Sequence, residues 1–154
     1  MTVNVGDKAP DFDLPTDGDG ALRLSSLKGK KVVLYFYPKD STPGCTVEAK
    51  DFRDRIKDFE NAGAVVVGAS KDSVKRHDNF KAKNGLPFQL VSDGEGTLCD
   101  DYGVWVEKKL YGRAYMGIER ATFLIDGNGA VREIWRKVKV KGHADAVLEA
   151  VKGL

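Results

Sequence analysis

The chain has 154 residues, of which 42% are hydrophobic and 31% are charged. These proportions favour one globular domain over residues 1–154 and disfavour a disordered, collagen-like or membrane-spanning chain. The 25 Lys and Arg residues against 23 Asp and Glu leave a net charge of +2, which is too balanced to suggest binding to nucleic acid or to a membrane surface. No basic segment followed by an apolar one opens the chain, so we expect no secretory signal and a cytoplasmic protein.

Cysteine and histidine are scarce in this chain. It has two cysteines, Cys45 and Cys99, and two histidines, His77 and His143. They form no CxxC pair and show no ligand-like spacing, so we expect no disulfide framework, no metal site and no bound cofactor. Any chemistry is therefore expected to come from a single thiol.

The first half of the chain alternates strand and helix signals. Two apolar arms around an Asp-Gly turn predict a β-hairpin within residues 11–24, and the apolar run 32–37 predicts a buried strand. From Pro43 onwards, apolar residues recur at spacings of four and three, which predicts an amphipathic helix that Gly63 ends. The run 64–69 predicts a second buried strand.

The second half of the chain continues this alternation. Its predicted elements are a helix from Asp72 or Ser73 to Gly85, a strand at 89–91, a helical turn at 98–102, a hairpin of strands 121–125 and 131–135, and a helix at 144–151. Together they predict an α/β fold with a central mixed sheet, flanked by helices on both faces. Ligands of such sheets gather at the carboxyl ends of strands, which directs attention to the segment after residue 37.

Two further features are interpreted as structural. The basic run 136–141 alternates with valine, which favours the solvated face of a strand over a nucleic-acid site. Trp105, Trp135 and Tyr111 are expected to be packing residues.

The segment after the first buried strand carries the candidate nucleophile. Thr42 suits the N-cap of the following helix and Pro43 its first position, so Cys45 is expected in the first helical turn. The unpaired N–H groups and the positive dipole end there favour a thiolate, the nucleophilic form of cysteine. A lone cysteine on an apolar helix face is also typical of a small buried hydrophobic residue, so position alone leaves both interpretations open.

The residues around this cysteine resemble a known family. The string PKDSTPGCTVE at 38–48 is similar to the active-site string of the peroxiredoxins, and within them to the bacterioferritin comigratory protein, or peroxiredoxin Q, subfamily. The strings GDKAPDF at 6–12, YGR at 111–113 and GIERATFLID at 117–126 are similar to the same subfamily. The resemblance covers essentially the whole chain. It implies a thioredoxin-like fold and the reduction of hydrogen peroxide and organic hydroperoxides.

The resemblance also implies roles for individual residues. Cys45 would attack the peroxide and become a sulfenic acid. Thr42 would bind the peroxide through its hydroxyl, and Arg120 would stabilise the thiolate and the leaving oxygen. Pro38 would shield the pocket, and Glu48 would orient the guanidinium through a salt bridge.

Resolution of the sulfenic acid is where the chain departs from its relatives. Many of them carry a resolving cysteine at the position of Lys50, and others at the position of Lys81. Either an external thiol (thioredoxin, glutaredoxin or glutathione) reduces Cys45 in a one-cysteine mechanism, or Cys99 resolves it. We favour the one-cysteine mechanism with a buried, structural Cys99, and the subfamily resemblance favours a monomer.

Two alternative functions remain at this stage. One is a thiol-disulfide oxidoreductase, which would need Cys99 as the partner of Cys45. The other is a peroxide sensor, which would be oxidised once and would not turn over.

Overall fold

The computed structural model describes residues 3–154. Within this range the strands are β1 (Asp13–Thr16), β2 (Gly20–Arg23), β3 (Lys31–Phe36), β4 (Ala64–Ser70), β5 (Gln89–Ser92), β6 (Trp105–Leu110), β7 (Arg113–Ile118), β8 (Ala121–Ile125) and β9 (Val131–Trp135). The helices are α1 (Pro43–Asp54), α2 (Ile56–Asn61), α3 (Val74–Asn84), α4 (Leu98–Asp101) and α5 (His143–Lys152), with 3₁₀ turns at Asp17–Asp19 and Leu24–Leu27.

Seven of these strands form one mixed sheet. Their order is β2-β1-β5-β4-β3-β8-β9, while β6 and β7 form a separate two-stranded sheet. Strands β3, β4 and β5 are parallel, and β8 runs antiparallel to β3. The predicted α/β fold with a central mixed sheet is confirmed, and so are the hairpins β1–β2 and β8–β9.

The two faces of the sheet are covered differently. One apolar cluster packs alternate residues of β3 against α1, α2, α3 and α5. The other cluster packs the opposite face against α4 and apolar residues of the chain before β3. We expected helices on both faces of the sheet. The second face carries only the short helix α4 within the described residues. None of the helices within residues 3–154 has both the length and the hydropathy that crossing a membrane would require.

The predicted long helix from Pro43 is in fact two helices. Arg55 separates α1 from α2 and has φ −111° and ψ 9°, outside the helical region. Its guanidinium donates to the carbonyl oxygen of Asp51 at 2.9 Å and pairs with Asp145 of α5 at 2.5 Å. This ion pair joins the break in the helix to the C-terminal helix.

The hairpin β6–β7 was not predicted. Its two-residue turn has positive φ at both Tyr111 (51°) and Gly112 (77°), the combination that a type I′ turn needs. Tyr111 is 96% exposed, so its interpretation as a packing residue was wrong. Half of the residues of β6 and four of the six residues of β7 are exposed, and a strand with little buried surface leaves no clear alternation in the sequence.

The basic run also differs from its prediction. Strand β9 ends at Trp135, and residues 136–141 form an irregular segment with Lys137 at φ 47°. Arg136 lies against the fold, where it pairs with Glu119 at 3.1 Å and donates to the carbonyl oxygen of Gly103 at 2.6 Å. The run is a loop that is anchored at its first residue.

We expect Phe123→Ala to lower the free energy of unfolding by about 3–5 kcal/mol, and Phe123→Leu to lower it less. Phe123 is fully buried on β8 and contacts the rings of Phe36 and Tyr102, with centroid distances of 5.7 and 5.0 Å. Urea titration with an unchanged m-value would measure the loss. Tyr111→Ala is the matched control and should change stability by less than about 0.5 kcal/mol. Equal losses in Phe123→Ala and Tyr111→Ala would contradict this account of the core.

Candidate active site

The loop after β3 leads directly into α1. Thr42 occupies the N-cap position with φ −90° and ψ 153°, and Pro43 opens the helix as predicted. The Thr42 side chain makes no capping hydrogen bond; its hydroxyl donates to the carbonyl oxygen of Lys39 at 2.8 Å. This bond leaves the hydroxyl oxygen able to accept a hydrogen bond. Pro38 is half-buried at the start of the loop.

Cys45 lies in the first turn of α1, as predicted. Its side chain is 2% exposed, and its thiol is free. It packs in the same apolar cluster as Tyr35 and Ala49, while its Sγ accepts a hydrogen bond from Nη2 of Arg120 at 3.2 Å. A thiol at this point faces the positive end of the helix dipole on one side and a guanidinium on the other.

Antiparallel pairing brings Arg120 to this helix. In the register of β3 and β8, Ala121 lies opposite Phe36, so Arg120 lies beside the end of β3, where the loop to α1 begins. A Cβ added to Gly44 would come within 3.3 Å of the Arg120 Nη2, and glycine therefore allows the guanidinium to approach the helix closely.

The predicted Glu48–Arg120 salt bridge is present. Arg120 Nη1 donates to Glu48 Oε1 at 2.6 Å, and the carboxylate is buried. Burial raises the pKa of Glu48 from 4.5 to about 7, although the charge of Arg120 acts to lower it. One guanidinium thus contacts both Glu48 and Cys45, which lie one turn apart on α1.

Cys99 lies elsewhere in the fold. It is fully buried in α4 and belongs to the apolar cluster on the opposite face of the sheet from Cys45. Burial and the neighbouring carboxylate of Asp93 raise the pKa of the Cys99 thiol well above its usual value. The Cys99 backbone N–H donates to the same carboxylate at 3.0 Å. These contacts make Cys99 a protonated part of the core.

The two lysines at resolving positions have different surroundings. Lys50 is exposed on α1. Lys81, on α3, donates through Nζ to Asp17 Oδ2 at 2.8 Å, and the same carboxylate accepts from the N–H of Leu90. Lys81 therefore ties α3 to the turn between β1 and β2.

A buried polar network beneath the loop was not predicted. Asp40 accepts a hydrogen bond from the Tyr37 hydroxyl at 2.5 Å, and its other oxygen lies 2.6 Å from Nδ1 of His77. The N–H of Asp40 donates to Asp72 at 2.8 Å. No motif connects these residues, since His77 lies 37 positions beyond Asp40 on a separate helix.

Part of this network has the composition of a metal site. Within the described residues, Asp40, Asp72 and His77 are the one trio of Asp, Glu, His or Cys side chains with ligand atoms within 4.8 Å of one another. Their atoms are already engaged with each other and with Tyr37 and Ser70. A cation would have to displace the proton between Asp40 and His77, so the network fits a hydrogen-bonded anchor better than a metal centre.

Comparisons with known proteins agree with this geometry. A model of the AhpC/TSA family matches residues 5–134. Peroxiredoxin Bcp of Bacillus subtilis is 51% identical over 154 residues, which are 100% of this chain and 98% of that protein. Peroxiredoxin Bcp of Xanthomonas campestris is 53% identical over 146 residues, 94% and 91% of the two chains. A solved cysteine-to-serine variant of Xylella fastidiosa PrxQ has a TM-score of 0.95 at 43% identity, with 99% and 98% of the chains covered.

The thioredoxin-like sheet and these relatives define the class of the protein, a thiol-dependent peroxidase. The chain belongs to the AhpC/TSA family, and within it to the bacterioferritin comigratory protein, or peroxiredoxin Q, subfamily of peroxiredoxins. Its substrate is accordingly a peroxide and its reductant a thiol.

The buried carboxylate of Glu48 leads to a prediction about pH. We expect the stability of the wild type relative to Glu48→Gln to fall as the pH rises from 4.5 to about 7. Because the pKa of Glu48 is raised from 4.5 to about 7 in the folded protein, the folded state holds a proton there that the unfolded chain has lost. Urea unfolding of both proteins across this range would measure the difference. If the relative stability increased with pH, the charge of Arg120 would affect the pKa of Glu48 more strongly than burial does.

Proposed function

We propose that the protein reduces hydrogen peroxide and organic hydroperoxides through a sulfenic acid on Cys45, which an external thiol then reduces. The observation that carries this proposal is the contact of 3.2 Å between Arg120 Nη2 and Cys45 Sγ. It places a permanent cation against a thiol in the first turn of a helix, and both features favour the thiolate that the reaction needs.

The oxidation step is a displacement at oxygen. The thiolate sulfur of Cys45 attacks the terminal oxygen of the peroxide, an S–O bond forms and the O–O bond breaks. The terminal oxygen carries its hydrogen into the sulfenic acid. The remaining hydroxide or alkoxide takes a proton from solvent, which yields water or an alcohol.

Neighbouring groups favour this transition state. Arg120 lies where it can stabilise the charge that grows on the leaving oxygen. Thr42 can accept a hydrogen bond from the peroxide, because its own hydroxyl hydrogen is directed to Lys39. Glu48 holds the guanidinium in place at 2.6 Å, and Pro38 covers the start of the loop. These are the roles that we assign to the four side chains around Cys45.

The surroundings of both cysteines support a one-cysteine mechanism. A disulfide requires Cα atoms within about 7 Å of each other, whereas the sheet separates Cys45 from Cys99. In Xanthomonas campestris peroxiredoxin Q, solved serine variants replace two cysteines that lie as far apart in sequence as Cys45 and Lys81. Here that position holds a lysine in an ion pair with Asp17.

The reduction step then needs two thiol groups, which come from two molecules of glutathione or from one dithiol protein. The first attacks the sulfenic sulfur of Cys45, forms a mixed disulfide and releases water. The second attacks the mixed disulfide, restores the Cys45 thiol and leaves as an external disulfide. Thioredoxin, glutaredoxin and glutathione are the reductants we propose to test, with the protein acting as a cytoplasmic monomer.

Intact mass spectrometry would test this proposal directly. After one equivalent of hydrogen peroxide and a sulfenic-acid trap, we expect one adduct on Cys45 and a free thiol on Cys99. Cys99→Ser should leave steady-state turnover unchanged, and Cys45→Ser should abolish it. A loss of two hydrogens without an adduct would show a Cys45–Cys99 disulfide and contradict the one-cysteine mechanism. An unmodified protein would contradict peroxide reduction at Cys45.

Replacing the guanidinium tests the role of Arg120. We expect Arg120→Lys to lower kcat/KM for hydrogen peroxide by about 10²-fold, since one ammonium cannot contact both Glu48 and Cys45, and the loss of one preorganised donor has an effect of this size. Arg132→Lys is the matched control, because it alters an exposed ion pair with Asp126 and should leave kcat/KM unchanged. Wild-type activity in Arg120→Lys would show that the guanidinium is not needed.

A further inference from the structure

The loop that carries Thr42 is held in a strained backbone conformation. Ser41 has φ 64°, in the left-handed region that residues other than glycine seldom adopt. Such a conformation persists only where the surrounding structure holds it. The residue immediately before Ser41 is Asp40, which is 2% exposed and is therefore the anchor of this loop.

The N–H and both carboxylate oxygens of Asp40 have partners. Its Oδ1 accepts from the Tyr37 hydroxyl at 2.5 Å, its Oδ2 lies 2.6 Å from His77 Nδ1, and its N–H donates to Asp72 Oδ2 at 2.8 Å. The Asp72 carboxylate is itself fixed by the Ser70 hydroxyl at 2.6 Å. Tyr37 directly follows β3, Asp72 lies in the turn after β4 and His77 lies on α3, so the loop is bound to three separate parts of the fold.

The contacts of His77 determine where its protons lie. Its Nε2 is 3.0 Å from the carbonyl oxygen of Val91, which can only accept, so Nε2 carries a hydrogen. Its Nδ1 faces the Asp40 carboxylate, which already accepts from Tyr37. Both ring nitrogens therefore face acceptors, and we assign His77 as an imidazolium paired with a buried carboxylate.

The charges around His77 agree with this assignment. Burial acts to lower the pKa of His77, but the carboxylates of Asp40 and Asp72 raise it above its usual value. Asp40 faces the ring from the loop after β3, and Asp72 lies in the turn before α3. On α3 itself, Arg76 pairs with Asp72 at 3.0 Å. Tyr37, directly after β3, contributes a neutral hydroxyl.

We propose that His77 is a positioning residue for peroxide reduction: its imidazolium holds Asp40, and Asp40 holds the strained loop that presents Thr42 and the first turn of α1 to the peroxide. This inference rests on the proposed function of Cys45 and Thr42. His77 would touch neither substrate nor sulfur, and its effect would pass through the backbone of residues 40–42.

Two substitutions separate the contacts of His77. In His77→Asn, the amide can still donate to Asp40 in place of Nδ1, without a charge. In His77→Gln, the longer amide can replace the Nε2 contact to Val91 but not the donor to Asp40. We expect His77→Gln to lower the rate constant of Cys45 with hydrogen peroxide at least tenfold, and His77→Asn to retain most of it. Tyr37→Phe, which removes only the hydroxyl, should give an intermediate loss.

The readout is a ratio of two rate constants on the same thiol. Reaction with peroxide needs the loop geometry and the thiolate, whereas alkylation by iodoacetamide needs the thiolate but not the peroxide-binding groups of the loop. We expect the peroxide-to-alkylation ratio to fall in His77→Gln and to be rescued in His77→Asn. A general loss of folding would lower the peroxide rate constant in both variants, without rescue in His77→Asn. That outcome, or equal ratios in wild type and His77→Gln, would overturn the proposal.

The second ring hydrogen of His77 adds a pH dependence. In the wild type the ratio should fall as the pH rises through the raised pKa of His77, because a neutral ring keeps one hydrogen and can no longer donate to both Asp40 and Val91. In His77→Asn the ratio should be independent of pH over this range, apart from any contribution of Glu48, which both proteins share. Identical pH profiles in the two proteins would contradict the role of the second ring hydrogen.

Nitrogen NMR would observe the protons directly, since the chain has two histidines. At neutral pH both ring nitrogens of His77 should be protonated. His143 is the internal control: burial and the nearby Arg120 lower its pKa to about 4, so its ring should be neutral. A neutral His77 ring would overturn the proposal. Loss of Cys45 oxidation in the wild type itself would instead refute the proposed function, so the two failures are distinguishable.

Discussion

The guanidinium of Arg120 is the shared counter-charge of the site. It contacts a buried carboxylate at 2.6 Å and a buried sulfur at 3.2 Å, and both groups project from the same face of α1. An isolated buried charge is costly, and one that is paired and hydrogen-bonded is much less so. Three features make this contact possible. They are the position of α1 on the sheet, the close approach at Gly44 and the antiparallel pairing of β8 with β3.

The sheet gives the two cysteines opposite properties. Cys45 lies on the face that α1 covers, at a helix start and beside a cation. Cys99 lies on the other face, in the core beside the carboxylate of Asp93. Burial near a negative charge keeps a thiol protonated, whereas a helix start and a guanidinium favour the thiolate. The same side chain is thus the proposed nucleophile in one place and a packing residue in the other.

Helix α3 connects the site to the rest of the molecule. It reaches the loop before α1 through His77 and Asp40, and it reaches the turn between β1 and β2 through Lys81 and Asp17. These two attachments lie on successive turns of one helix. A relative with a cysteine in place of Lys81 would lack the ion pair with Asp17. The lysine at this position therefore removes a resolving thiol and also adds an attachment between α3 and the turn between β1 and β2.

Local chemistry could be predicted from the sequence alone. The apolar run of β3 and the spacing that begins at Pro43 predict a strand leading into a helix, and they place Cys45 in its first turn. The turn signal at 126–129 predicts the hairpin β8–β9. Each of these features depends on residues a few positions apart, for which the periods of helices and strands are informative.

Long-range contacts were decided by the tertiary structure. Arg120 lies 75 positions from Cys45 and was assigned through family resemblance, because no periodicity relates an arginine on one strand end to a helix elsewhere. His77 gave no signal, since a single buried histidine is defined only by the groups that fold around it. The exposed hairpin β6–β7 and the break at Arg55 were missed for a related reason. Patterns of hydrophobicity report burial, and these features depend on turn geometry and ion pairing.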